Sequence, residues 1–290
     1  MNKKIISKTL TILLFAGITI QAGFTAYSMI DTQSNNTVES QVLQETTIST
    51  ELQEEDTANT DISEEIQNLI RQSDPANFDK NIANYKNLLI DFNVHSQFKE
   101  EIERLIREGH KLPDILSGYE FLYHNYGTVQ ELENFITQKE SGKTWKQIFG
   151  EYNKNNAEFI PRSFDTDYLE GLMKTPSITS DDIMIADRIS YESGQAFEEL
   201  INKKMEDKSW KTLNAEVGII NSASILPRVE VTSEQLKKYL ASGALTEQQI
   251  VEAFVLAQKL GKSTDVIIGK VKAGYTEESI IQEYCTEKYY

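Results

Sequence analysis

Three glutamates recur at corresponding places along the chain and have the chemistry for acid–base catalysis. Glu151, Glu216 and Glu283 each lie seven residues after a Ser or Thr that opens a similar block. Hydrolysis of a glycosidic bond requires two carboxyl groups roughly 5–10 Å apart. Each of these glutamates belongs to a separate block, and charged side chains on helices are usually solvated or ion-paired. We therefore expect surface glutamates paired with nearby lysines, and we keep a cell-wall-directed hydrolase that uses these carboxylates as an alternative function.

The histidines and the cysteine offer little for metal or nucleophile chemistry. The chain has three histidines, His95, His110 and His124, whereas metal-binding helices place their ligands about four residues apart. Glu120 precedes His124 by four residues, but one such pair is not a metal site. Cys285 is the single cysteine, so it forms no internal disulfide, and we predict an intermolecular disulfide partner for it outside the cell. We assign no catalytic, cofactor-binding or metal-ligating residue, leave the binding residues unassigned and expect no cofactor.

A short stretch around Thr144 matches parts of two nucleotide- or nucleic-acid-binding motifs. Gly142-Lys143-Thr144 has the last three residues of a phosphate-binding loop, but Thr137 stands where that motif needs its first glycine. The same stretch has the outline of a helix-turn-helix, which needs basic residues facing phosphates. The chain carries a net charge of −16, and an acidic protein is repelled by nucleic acid. We expect no nucleic-acid partner.

Two tryptophans mark an internal repeat. Trp145 and Trp210 lie 65 residues apart and head similar blocks, Thr144–Asn153 and Ser209–Gly218, and a third block, Thr276–Cys285, starts 67 residues after the second. A large aromatic residue that recurs at a repeat spacing is typical of a packed core rather than of a ligand-stacking site. We predict that both tryptophans are buried. In the third block, Glu277 replaces the tryptophan, which indicates a wetter position.

The similarity extends upstream of each block and sets the unit length. An Ile follows Asp114, Asp182 and Gln249, and a glycine closes each of these stretches, at Gly127, Gly194 and Gly261. Matching over this many positions predicts stacked helical units. We place three repeats of about 65 residues at 98–153, 165–218 and 233–285, with a partial unit at 61–97.

Residue spacing and capping signals predict that these units are helical. Residues 250–260 place apolar side chains at the spacing of one helix face. Thr246 with Gln249 and Thr128 with Glu131 have the pattern of capping boxes, and the three glycines suit the left-handed position that ends a helix. We find no stretch in which apolar and polar residues strictly alternate between hairpin turns, so we predict no sheet. The predicted fold class is all-α, as tandem helical repeats in a solenoid-like or helical bundle array.

The N-terminal residues set the predicted compartment. Basic residues at Lys3, Lys4 and Lys8 precede an uncharged stretch at 9–30. This layout is that of a secretory signal peptide, and its length also suits an uncleaved membrane anchor. We therefore predict that residues 1–30 are a signal peptide or an N-terminal membrane anchor and that the rest of the chain is extracytoplasmic, secreted or anchored in the cytoplasmic membrane.

The next segment is strongly acidic. Residues 31–65 hold ten carboxylates and no Lys or Arg, so like charges repel and little apolar surface can be buried. We predict a disordered tether at 31–60, followed by a helical repeat domain at 61–290.

These observations favour a binding or scaffolding protein over an enzyme. Stacked helical units form extended surfaces that suit peptide or protein partners, so we expect a protein or peptide partner at the cell surface. Membrane contact is expected only through residues 9–30 if they stay uncleaved. A membrane-anchored sensor ectodomain is a further alternative.

Overall fold

The computed structural model describes residues 9–13, 60–156 and 159–290. Within these ranges the chain is mostly helical, with fourteen α-helices and two short strands, which confirms the predicted all-α class at this coarse level. The predicted tether at 31–60 and most of the predicted signal or anchor segment lie outside the described residues. The helices are α1 (Glu64–Ser73), α2 (Phe78–Asp91), α3 (Ser96–Arg107), α4 (Leu112–Asn125), α5 (Val129–Glu140), α6 (Trp145–Asn155), α7 (Thr166–Met173), α8 (Ser180–Ser193), α9 (Phe197–Met205), α10 (Trp210–Glu216), α11 (Ser233–Leu240), α12 (Glu247–Lys259), α13 (Thr264–Lys272) and α14 (Glu277–Tyr289).

A two-stranded sheet corrects the expectation that the chain has none. Strand β1 (Thr9–Leu13) pairs antiparallel with β2 (Arg228–Thr232), and Thr9 lies opposite Thr232. In β2 the side chains of Val229 and Val231 are buried and those of Arg228 and Glu230 are exposed. This two-residue alternation is the normal pattern of a half-buried strand.

Among the described residues, none of the helices combines the length and the hydropathy that crossing a bilayer requires.

Side-chain caps explain where many of the helices begin. The Thr128 hydroxyl accepts from the Glu131 backbone N–H while the Glu131 carboxylate accepts from the Thr128 N–H, and Thr246 and Gln249 form the same reciprocal pair. Both capping boxes were predicted from the sequence. Such caps satisfy backbone donors that a helix start leaves without partners. Further capping boxes begin α6, α8 and α11.

The helix ends follow the glycine prediction at two of three places. Gly194 and Gly261 have φ of 73° and 59°, the left-handed conformation expected after a helix. At the end of α4 it is Tyr126, not Gly127, that takes this conformation, with φ of 56°. Gly127 is instead closely packed, because a Cβ there would lie 2.4 Å from the Leu122 Cδ2 and 3.0 Å from the Leu122 Cβ.

The helices form three groups that share two cores. The first group is α1–α6, the middle group α7–α10 and the third group α11–α14. A first core joins the first and third groups, since α14 packs against α2, α4 and α6. At its centre lies α4, in which every residue from Leu112 to Leu122 is buried. A helix buried on all sides belongs to the middle of a core.

The middle group has a smaller core of its own. Ile185, Leu200 and Trp210 are among its buried side chains, and Tyr126 joins it from the end of α4. Two backbone hydrogen bonds tie it to the first group: the Val129 N–H donates to the Gly218 carbonyl (3.0 Å) and the Ile220 N–H to the Gly127 carbonyl (2.9 Å). The chain therefore returns past the middle group to complete the first core.

Candidate functional site

The three repeat-position glutamates are each paired with a lysine. Lys143 Nζ lies 2.5 Å from the Glu151 carboxylate, Lys208 Nζ 2.8 Å from Glu216, and Lys270 Nζ 2.6 Å from Glu283. The hydrogen bond from Lys208 lowers the pKa of Glu216. Each lysine comes from the same helix group as its glutamate, so these carboxylates act as local ion-pair partners. This is the arrangement expected for surface glutamates rather than for an acid and base that face each other.

The predicted histidines and cysteine occupy separate places. His95 caps α3 by accepting from the Gln97 N–H (3.3 Å), and His110 Nδ1 lies 2.7 Å from a Glu140 carboxylate oxygen. In the part of the chain that the structure describes, no three His, Cys, Asp or Glu side chains come together in a way that could hold a metal ion. Cys285 is buried, with 1% of its surface exposed. The predicted intermolecular disulfide stays a prediction, and it would require this thiol to become exposed.

A groove of about 610 Å³ opens on the first helix group. It runs between the C-terminal ends of α1 and α3, the start of α4, the side of α2 and Tyr290. Its apolar wall includes Leu69, Ile106 and Leu112. Pockets that bind small molecules or peptide segments are typically lined by apolar side chains with a few fixed polar groups, and measure roughly 300–1,000 Å³.

The polar side of the groove is preorganised. The Asn81 side chain is 2% exposed, and its Nδ2 donates to the Asp74 carboxylate (3.3 Å). The Asn77 side chain also donates to Asp74, and these hydrogen bonds lower the Asp74 pKa. Lys111 and Arg107 lie on the same lining, and Arg107 Nε contacts a Glu65 carboxylate oxygen at 3.1 Å. The groove therefore presents a negative charge on Asp74 and positive charges on Lys111 and Arg107, and the Asn81 amide is held in place by its hydrogen bond.

Tyr290 connects this groove to a buried polar pair. The Trp145 indole N–H donates to the Tyr290 hydroxyl (2.9 Å), and that hydroxyl donates to the Asp114 carboxylate. Trp145 and Asp114 are 3% and 6% exposed, so the predicted burial of this tryptophan is confirmed. Burial and the hydrogen bond to Asp114 raise the pKa of Tyr290, so the phenol keeps its proton and acts as donor and acceptor at once.

The corresponding pair in the middle group has no intervening hydroxyl. The Trp210 indole N–H donates directly to the Asp182 carboxylate at 2.7 Å, and Trp210 is buried as predicted. A lysine lies over each indole ring, Lys139 over Trp145 and Lys204 over Trp210, both 5.9 Å from the ring centre. The two sites thus share a tryptophan, a lysine and an aspartate, and differ by the inserted hydroxyl.

A second polar cluster fixes α14 on α4. The buried Glu120 carboxylate accepts from Lys288 Nζ (3.0 Å), the Tyr284 hydroxyl (3.0 Å) and the Tyr289 hydroxyl. Beside it is a cavity of about 20 Å³ that His124, Lys259, Glu277 and Cys285 help to line. That volume suits a single water molecule rather than a ligand. This cluster is an anchor between helices, and Glu120 is not available to His124 as a metal ligand.

Sequence reasoning missed the groove and the role of Tyr290. Asp114 did carry a signal, because it aligns with Asp182 in the predicted repeat, but nothing local marks Tyr290 or Asn81. No protein family, curated protein or solved structure matches this chain.

Proposed function

We propose that this protein is an extracytoplasmic binding or scaffolding protein that holds a segment of a protein or peptide partner in the groove beside Tyr290. The observation that carries this proposal is the groove itself: about 610 Å³, lined by both apolar and polar side chains, with Asn81 held in place by Asp74 and Lys111 as an exposed charge. Such a combination suits a segment that has both apolar and polar side chains. The compartment follows from the basic and apolar N-terminal sequence.

We also infer that the three helix groups derive from tandem repeats of four helices. The windows 98–153, 165–218 and 233–285 correspond to α3–α6, α7–α10 and α11–α14. The last helix of each unit starts with the same cap, at Thr144, Ser209 and Thr276, whose hydroxyls accept from a backbone N–H three residues later. The recurring tryptophan–aspartate pair further supports this interpretation.

A binding module explains the acidic surface better than a nucleic-acid or polymer-cleaving role. Helical arrays present rigid, preformed surfaces, so a partner loses little free energy to ordering the protein. The groove lies on the first group, where α1 and α2 stand before the first full repeat. Terminal units of arrays commonly differ from the internal ones.

The test is a capture experiment with a groove-filling variant. Full-length protein would be immobilised and exposed to membrane-protein, secreted-protein and wall-polymer fractions. Gln72→Trp places a large side chain in the groove, and Gln130→Trp is a matched control on an exposed position of α5. Saturable retention of one protein by the native chain and the control, lost in Gln72→Trp, supports the proposal. Retention that Gln72→Trp leaves unchanged, or release of soluble fragments from polymer, contradicts it.

A further inference from the structure

We propose that the Trp145–Asp114 slot recognises a phenolic hydroxyl, that Tyr290 fills it as an internal latch, and that the partner's segment carries a tyrosine that takes its place. This inference rests on the proposed function, because the slot opens beside the same groove. It names the chemistry of the partner, a tyrosine-bearing peptide segment.

The chemistry of the slot selects a hydroxyl. The indole N–H of Trp145 can only donate a hydrogen bond, and the buried Asp114 carboxylate, when ionised, can only accept one. A group between them must accept from one side and donate to the other, as the Tyr290 hydroxyl does. A protonated amine would leave the indole without an acceptor, and a carboxylate would face Asp114 with like charge. Both alternatives leave a buried group unsatisfied, which is costly.

The surroundings select an aromatic carrier for that hydroxyl. Leu112 and Pro113 line the same groove as Tyr290, and an apolar lining suits a ring better than the short side chain of serine. Tyr290 thereby shows the type of ligand that the site takes.

The middle group shows the same two residue types in a different arrangement. There, Trp210 and Asp182 make the direct 2.7 Å contact without any inserted hydroxyl. A tryptophan and an aspartate at these positions are therefore compatible with both arrangements. The inserted hydroxyl is therefore particular to the Trp145–Asp114 pair.

The position of Tyr290 suits displacement. As a whole residue Tyr290 is 42% exposed, whereas the preceding Tyr289 is 1% exposed and fixed on Glu120. Tyr290 follows the end of α14, and its backbone N–H donates to the Thr286 carbonyl (3.2 Å). Because the latch is tethered, its effective concentration at the slot is at least of the order of 1 mM. A partner segment must therefore gain further contacts in the groove, for which Asn81 and Lys111 are placed.

The test measures binding of defined peptides to the full-length Tyr290→Ala protein by calorimetry. One peptide copies residues 287–290, and the second ends in phenylalanine instead of tyrosine. We expect Tyr290→Ala to bind the tyrosine peptide about tenfold or more tightly than the phenylalanine peptide, as loss of one hydrogen bond to a charged group implies. The native protein should bind the tyrosine peptide about tenfold or more weakly than Tyr290→Ala, because its own latch competes. Tyr275→Ala, at another exposed tyrosine, should behave as the native protein does.

Equal affinity for both peptides, or no binding by a folded Tyr290→Ala protein, overturns the inference. Circular dichroism establishes folding, and Tyr290→Phe is the second variant if Tyr290→Ala is unfolded. It keeps the ring but lacks the hydroxyl, so it should bind the tyrosine peptide more tightly than the native chain does, and unchanged binding contradicts the latch. If groove-dependent capture of a partner persists while the peptides fail, the proposed function stands and this inference alone is wrong.

Discussion

The reactive side chains of this protein are largely withdrawn from solvent or bound to one another. Cys285 is buried, Glu120 is held by three donors, and the repeat-position glutamates are paired with lysines. Buried polar groups of this kind hold helices in register when all their hydrogen bonds are made. The His124 Nε2 is an exception, since it is buried without a hydrogen-bond partner. Two of these residues give direct chemical predictions.

Cys285 should be unreactive while the protein is folded. Burial is the main reason that its thiol pKa is raised, so little of the nucleophilic thiolate forms at neutral pH. We expect Ellman's reagent to modify the native chain far more slowly than the urea-unfolded chain, with one thiol titrated in the latter. Rapid modification of the folded protein, or a covalent dimer on a non-reducing gel, would show that the thiol is accessible after all.

His124 should make the protein sensitive to mild acid. Burial, with Lys259 and Lys288 nearby, lowers the pKa of His124 to about 3. A histidine in the unfolded chain has a pKa of about 6.5. Between these values the unfolded state binds more protons, so stability present above about pH 6.5 is lost as the pH falls toward 3. Between pH 7 and pH 5 the free energy of unfolding should fall by about 2 kcal/mol more in the native protein than in the His124→Gln variant. Urea unfolding of both proteins at both pH values measures this difference. An equal loss of stability in the two proteins would show that His124 is not the source of the acid sensitivity.

At the scale of the elements, two glycines occupy contrasting surroundings. Gly127 follows α4 in close contact with Leu122, while Gly171 lies within α7 with no atom within 4 Å of where its Cβ would be. Helix α7 has no buried residue, in contrast to α4. The same substitution should therefore act in opposite directions at the two positions.

We expect Gly127→Ala to destabilise the protein by about 1–3 kcal/mol, because the new methyl group overlaps the Leu122 side chain. Gly171→Ala should stabilise it by up to about 1 kcal/mol, since alanine loses less backbone freedom on forming a helix. Chemical denaturation of both variants beside the native chain measures the two effects. A destabilised Gly171→Ala, or a neutral Gly127→Ala, would contradict this account of the two sites.

The local elements were predictable from the sequence because their causes are local. The capping boxes at Thr128 and Thr246 and the burial of both tryptophans follow from spacing and residue type. Strand β2 was missed although Val229 and Val231 alternate with polar residues, because it is five residues long and its partner is the distant β1. The groove was not predictable, since Tyr290 lies far along the chain from Trp145 and Asp114.

At the scale of the whole molecule, the two cores each contain one tryptophan. Trp145 belongs to the first core, which spans the first and third groups, and Trp210 belongs to the middle core. The Glu120 cluster lies in the first core and joins α4 to α14. Variants with a single tryptophan can therefore report on each core separately.

We expect Glu120→Ala to destabilise the first core by about 3–5 kcal/mol, because Lys288 and two tyrosine hydroxyls lose their buried partner. In a Trp210→Phe background the fluorescence transition of Trp145 should shift strongly to lower denaturant. In a Trp145→Phe background the transition of Trp210 should shift much less. Equal shifts in both backgrounds would show that the two cores unfold as one cooperative unit.

The return of α14 to the first group also has a consequence for the order of folding. The first core combines residues 62–149 with residues 215–289, whereas the middle core draws almost all of its residues from a continuous stretch, 178–226. Chains emerge N-terminus first, and contacts between distant residues form slowly. We therefore expect the middle group to fold before the helices that precede it. A chain that lacks α14 should therefore hold a folded middle group beside a first group whose α2, α4 and α6 faces are uncovered.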